Sequence, residues 1–137
     1  NPMNVSGMML ETVTNASGGF SAGSNSTIDL KKGMVFRGTT AEPSNFVPNF
    51  TYAGSSIADQ LPVGKTTSPT LLVDARSGAG YITGVQIDGA AVTPLWVGGE
   101  APTSAGSAGI DIYSFQIIRR SSGYTVIISL LNATTAS

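Results

Sequence analysis

Apolar and polar residues alternate along this chain in short runs, and Gly, Asn, Ser and Pro separate the runs. No window keeps a helical apolar stripe for three turns without a Gly, a Pro or a β-branched cluster. The pattern therefore predicts strands joined by turns. Strands are expected over Val5–Thr14, with Gly7 inside, and over Thr27–Leu30 and Met34–Arg37, with Lys31-Lys32-Gly33 as a turn or bulge between the last two. Residues 15–25 read as a Gly/Ser-rich link. Residues 38–68, broken by Pro43, Pro48 and Pro62, read as loops that reach away from the core; within them Phe46, Phe50 and Tyr52 share one parity and fit one short strand.

The C-terminal half is more regular. Thr70–Ala75 is an apolar strand, and Tyr81–Ile87 leads through Asp88-Gly89, a two-residue hairpin turn, into Ala91 and Val92. Ile110–Arg119 and Tyr124–Leu131 form a second hairpin around Ser121-Ser122-Gly123. Ile110, Ile112 and Ile118 fall on one face of its first strand, and Tyr113, Phe115 and Ile117 on the other. In the second strand Tyr124, Val126, Ile128 and Leu130 oppose Ile127 and Leu131. A half-exposed antiparallel strand is not apolar on both faces. Either these strands are central in a sandwich with both faces covered, or one face meets another subunit. No repeat of fixed period is visible.

The length of 137 residues fits one domain with its own core. Residues 1–26 are a candidate N-terminal arm or extension, and 132–137 a polar tail. The N-terminus, Asn1-Pro2-Met3-Asn4, lacks an initiator Met and a signal-peptide layout, so a processed product or a fragment is expected. Charged residues are only 11%, against about 25% in a typical soluble domain. Hydroxyls replace them, as on many extracellular and virion β-proteins. The net charge is −1. Lys31-Lys32 and Arg119-Arg120 do not make the clustered basic track that nucleic acid requires. No apolar run approaches the roughly 20 residues of a membrane-spanning helix.

The absence of Cys and His removes disulfides, thiolate nucleophiles, the commonest general base and the commonest transition-metal ligand. No cofactor is expected. Gly64-Lys65-Thr66 ends like a phosphate-binding loop, but Asp59 stands where that loop needs its first Gly and no helix pattern follows. The eight carboxylates are scattered, and Asp88 and Asp111 are explained by a turn and a strand start. A Ser triad is impossible without His, and Lys31, Lys32 and Lys65 sit in polar turns, unsuited to a Ser–Lys dyad. Sequons at Asn4, Asn15, Asn25, Asn49 and Asn132 follow from a composition rich in Ser and Thr. Among the aromatics, Trp96, Tyr113 and Tyr124 lie in apolar runs and read as core or interface. Phe46, Phe50 and Tyr52, in a loop-rich region, are the better candidates for a ligand surface, though packing is the favoured reading even there.

One block carries a resemblance. Thr93-Pro94-Leu95-Trp96-Val97-Gly98-Gly99-Glu100-Ala101-Pro102-Thr103, then Asp111-Ile112-Tyr113-Ser114-Phe115 and Tyr124-Thr125-Val126, resembles the C-terminal module of structural and fibre proteins of tailed phages and large algal viruses. Thr27–Phe36 resembles the strand–Gly–Phe segment that opens such modules. The resemblance implies an all-β, jelly-roll-like antiparallel sandwich, a place at the virion surface as capsid decoration or fibre subunit, and association as a homotrimer. It implies no catalytic residues. The subunit-interface or core set expected here is Trp96, Ile110, Ile112, Tyr113, Phe115, Ile118, Tyr124, Val126 and Ile128. Partners are then the chain itself, other virion proteins and host-surface glycans. A carbohydrate-binding adhesion module is the alternative reading.

Overall fold

The computed structural model describes residues 6–76 and 79–135. In chain order the elements are β1 (Val13–Ala16), β2 (Thr27–Asp29), β3 (Val35–Gly38), β4 (Asn49–Thr51), α1 (Ile57–Gln60), β5 (Thr66–Thr67), β6 (Thr70–Asp74), β7 (Val85–Ile87), β8 (Ala90–Val92), β9 (Leu95–Trp96), β10 (Ile110–Arg119) and β11 (Tyr124–Ala133). The larger sheet runs β1-β3-β6-β10-β11-β9, with β5 also paired to β10, and the smaller runs β2-β4-β7-β8. The two sheets enclose one contiguous apolar core. The protein is an all-β sandwich.

The expected antiparallel pairing holds only for the C-terminal half. The β10–β11 and β7–β8 hairpins are antiparallel, as are the contacts of β10 with β5 and β6. The β1–β3–β6 and β2–β4–β7 ladders are parallel, and β9 joins β11 in parallel. The chain reaches these ladders by crossing from sheet to sheet: β1 lies in the larger sheet, β2 in the smaller, β3 in the larger, β4 in the smaller. It winds around its own core like a short β-solenoid. In the first winding Val13 sits opposite Val35 and Thr27 opposite Asn49, the same offset in both sheets. The next winding is longer because α1 and β5 are inserted in it, so Val35 meets Thr70 and Asn49 meets Gln86.

The inward positions stack in rungs. Phe36, Leu71, Tyr113 and Leu130 lie side by side across the larger sheet, and Ile28, Phe50 and Ile87 across the smaller. Only apolarity is shared along a rung, so the winding leaves no repeat in the sequence. Phe20 stacks on Phe46 at 5.3 Å, and Phe50 meets Phe115 edge-on at 4.9 Å. Such aromatic pairs contribute about 0.5–1.5 kcal/mol beyond the area they bury.

Several boundaries differ from the sequence reading. The first strand is Val13–Ala16, not Val5–Thr14, and Val5 itself lies outside the described residues. The fold begins inside the expected 1–26 arm, because β1 belongs to the larger sheet and Ala16 and Phe20 are buried in the core. At the other end β11 runs on to Ala133, so Asn132 belongs to the sheet rather than to a tail; residues 136 and 137 are outside the described chain. Residues 38–68 do not loop away. They carry β4 through the middle of the smaller sheet and send Phe46, Phe50, Ile57 and Leu61 into the core. Pro48 precedes β4 without costing a ladder bond, consistent with prolines bounding a strand rather than excluding one.

α1 is a single turn held from outside. Ser56 caps it by accepting from Asp59 N–H at 3.0 Å. The Asp88 carboxylate accepts from Ile57 N–H at 2.9 Å and Ala58 N–H at 3.2 Å. At its other end Arg119 donates to Ala58 O and Leu61 O, while the same guanidinium lies 5.4 Å from the centre of the Tyr124 ring.

Candidate functional site: the outer face of the larger sheet

The ligand surface expected at Phe46, Phe50 and Tyr52 does not form. Phe46 is 5% and Phe50 0% exposed, because both take the inward parity of the smaller sheet. Tyr52 alone stays half-buried, in a small recess with Leu30, Met34 and Leu61. A second recess, about 400 Å³, opens between the edge strands β1 and β2 over Phe20, Ile28 and Phe36. Its polar rim holds its own loops together: Asn25 donates to Ser17 O and Gly19 O, and Asp29 accepts from Lys31 N–H and Ala53 N–H.

The buried carboxylates are likewise engaged. Glu42 accepts from Phe20 N–H at 2.6 Å and from the Ser21 N–H and hydroxyl at 3.2 and 3.0 Å. Asp111 accepts from Gly106 N–H and from the Asn132 amide, each at 3.0 Å. Sequence reasoning missed both as buried groups, since neither follows an apolar run that would announce burial. Asn132, whose amide also donates to Ala108 O, and Asn25 spend their sequon side chains on the fold; Asn4 lies outside the described residues. Lys31, Lys32 and Lys65 are exposed. Among the described residues no three His, Cys, Asp or Glu side chains gather where a metal ion would be held. No helix among the described residues is long and apolar enough to cross a membrane.

The residues expected at a core or interface divide by parity. Tyr113, Phe115, Val126 and Ile128 point inward and are buried. Trp96 and Tyr124 pack against that core from its margin, and Trp96 meets Tyr113 edge-on at 6.5 Å. Burial pushes the Tyr113 hydroxyl up to about 12, opposed by the Ile82 N–H that donates to it at 3.3 Å and reinforced by the Asp111 charge. Ile110, Ile112 and Ile118 point the other way and are only half-buried. The smaller sheet covers one face of the β10–β11 hairpin and leaves the other bare.

That outer face is organised in rows across the strands. Arg37, Leu72, Ile112 and Leu131 form one row. Val35, Thr70, Ser114 and Ser129 form the next, and Gln116, Ile127 and Leu95 the third. The middle row is made of small side chains between larger neighbours, which leaves a hollow of about 380 Å³ beside Ser114, Ser129, Ile127 and Val97. Leu95, Val97 and Leu131 are 58%, 64% and 66% exposed. Leu72, Leu95 and Val97 were absent from the residues expected here. Their signal was available: Leu95 and Val97 flank Trp96 and must face away from it. Asp74, beside Ile110 on this face, is bound to Arg76 at 2.7 Å, and that guanidinium holds its carboxyl below the usual range.

No family model, curated protein or solved structure matches this chain.

Proposed function

We propose that this chain is a non-enzymatic structural subunit of a virion, a surface decoration or fibre component that acts by associating with copies of itself through the outer face of its larger sheet, as a homotrimer. The bare outer face of β6, β10, β11 and β9, with Leu95, Val97 and Leu131 exposed on it, carries this reading. The residue blocks that resemble phage and algal-virus structural modules, and a surface with few charges, support it.

Magnitudes constrain how such an interface is built. Burying Leu95, Val97 and Leu131 contributes about 1.5–3 kcal/mol each, against an association cost of about 4–15 kcal/mol. Those three side chains together match only the lower part of that range. A contact that meets its upper part dehydrates the half-buried Leu72, Ile112 and Ile127 as well, and so spans several strands rather than one edge.

The test is a chain carrying Leu95→Ser, Val97→Ser and Leu131→Ser. All three side chains are exposed, so folding is retained, and the variant is expected to sediment as a monomer where the unmodified chain associates. A variant that assembles as the unmodified chain does contradicts the assignment of this face.

A further inference from the structure

We propose that the segment Met8–Glu11 of one copy packs along the small-residue row on the outer face of a second copy. The inference rests on the self-association reading above and names the segment that covers the face. Residues 6–12 form no strand, and all are exposed. Met8, Met9 and Leu10 are 85%, 76% and 84% exposed, three consecutive large apolar side chains with nothing packed on them. The hollow over Ser114 and Ser129, walled by Val97, Phe115 and Ile127 beside Ser68 and Gln116, is an irregular gap of the kind that unbranched Met fills well.

Length and charge fit as well. Laid extended along Thr70–Ser114–Ser129, the segment sends Met9 and Glu11 to one side and Met8 and Leu10 to the other. Met8 then lies over Gln116 and Ile127, Leu10 over Ser68, and Met9 meets Ile112 and Leu72. Glu11, about 7 Å beyond Met9 at extended spacing, arrives at Arg37, which lies between Asn15 and Leu72 in the Leu72–Ile112–Leu131 row. Arg37 is exposed and has no ion-pair partner among the described residues, and Asp74 on the adjoining strand is taken by Arg76.

The covering segment comes from another copy for a topological reason. Val13 pairs with Val35 and Asn15 with Arg37 in a parallel ladder. The chain preceding Val13 therefore runs past Val35 away from Arg37, and its own Glu11 does not reach that guanidinium without a reversal.

The chain has no Cys, so introduced thiols report cleanly. Mixed preparations of Met9→Cys and Ser114→Cys are expected to form a disulfide between chains, whereas Met9→Cys mixed with Thr40→Cys, in an exposed loop, is not. Met8→Ser/Met9→Ser/Leu10→Ser is expected to weaken self-association at least tenfold. Glu11→Arg is expected to weaken it too, and Arg37→Glu in the same chain to restore it. If the arm variant associates like the unmodified chain while the Leu95/Val97/Leu131 serine variant does not, the arm is overturned and the interface stands. A Met9→Cys/Ser114→Cys chain that closes its disulfide within one molecule also overturns the exchange. An unmodified chain that is monomeric throughout overturns both.

Discussion

The Asp88 carboxylate reaches across the end of the sandwich to the backbone N–H of Ile57, 2.9 Å away, and so ties a hairpin turn to the only helical turn among the described residues. Asp88 does this from a left-handed backbone, φ +51, next to Gly89 at φ +82, the pair of positive angles a two-residue hairpin turn requires. One residue therefore closes a turn and caps a helix. Asp88→Ala is expected to cost about 1–2 kcal/mol, from the lost cap and from strain at a position Ala resists. Asp88→Asn, which tolerates that backbone, should cost less. Urea unfolding of both variants measures the difference.

Glu42 is a buried carboxyl group held by neutral donors. Glu42→Ala leaves Phe20 N–H and Ser21 N–H without their acceptor inside the fold. A loss of about 2–4 kcal/mol is expected, since bonds to charged groups contribute about 1.5–3 kcal/mol and stranded donors add their own cost. Glu42→Gln keeps an acceptor oxygen and should lose roughly half as much. Equilibrium denaturation of the two variants checks the order.

Tyr113 makes stability depend on alkaline pH. Its hydroxyl is raised from 10.0 to about 12, chiefly because burial disfavours the phenolate. The folded state thus holds its proton where the unfolded chain gives it up. The contribution is complete below pH 10 and is lost as pH rises through about 12, a change of about 2–3 kcal/mol. Tyr113→Phe should flatten that part of the stability profile, at the cost of the bond from Ile82 N–H. Thermal unfolding at pH 9, 10 and 11 compares the two chains.

The parts of this fold that the sequence disclosed are the local ones. Asp88-Gly89 and the loop ending in Gly123, φ +81, are set by residues a few positions apart, and both hairpins form as expected. The turn at Gly98-Gly99, φ +90 and +84, is similar. The parallel windings were hidden because Val13 finds Val35, and Phe50 finds Ile87, only after the chain has crossed to the other sheet and back. No turn chemistry encodes such a pairing. Phe46 and Phe50 looked available to a ligand because prolines surround them, yet the winding turns them inward. The site was half legible: alternation separated Ile110 and Ile112 from Tyr113 and Phe115, but which face is covered depends on where the smaller sheet lies.

Sedimentation equilibrium of the unmodified chain over a wide concentration range tests the central claim most directly. Self-association through the outer face predicts a species of three times the 13.9 kDa chain mass, stable on dilution into the micromolar range. A single mass of 13.9 kDa at every concentration would contradict it.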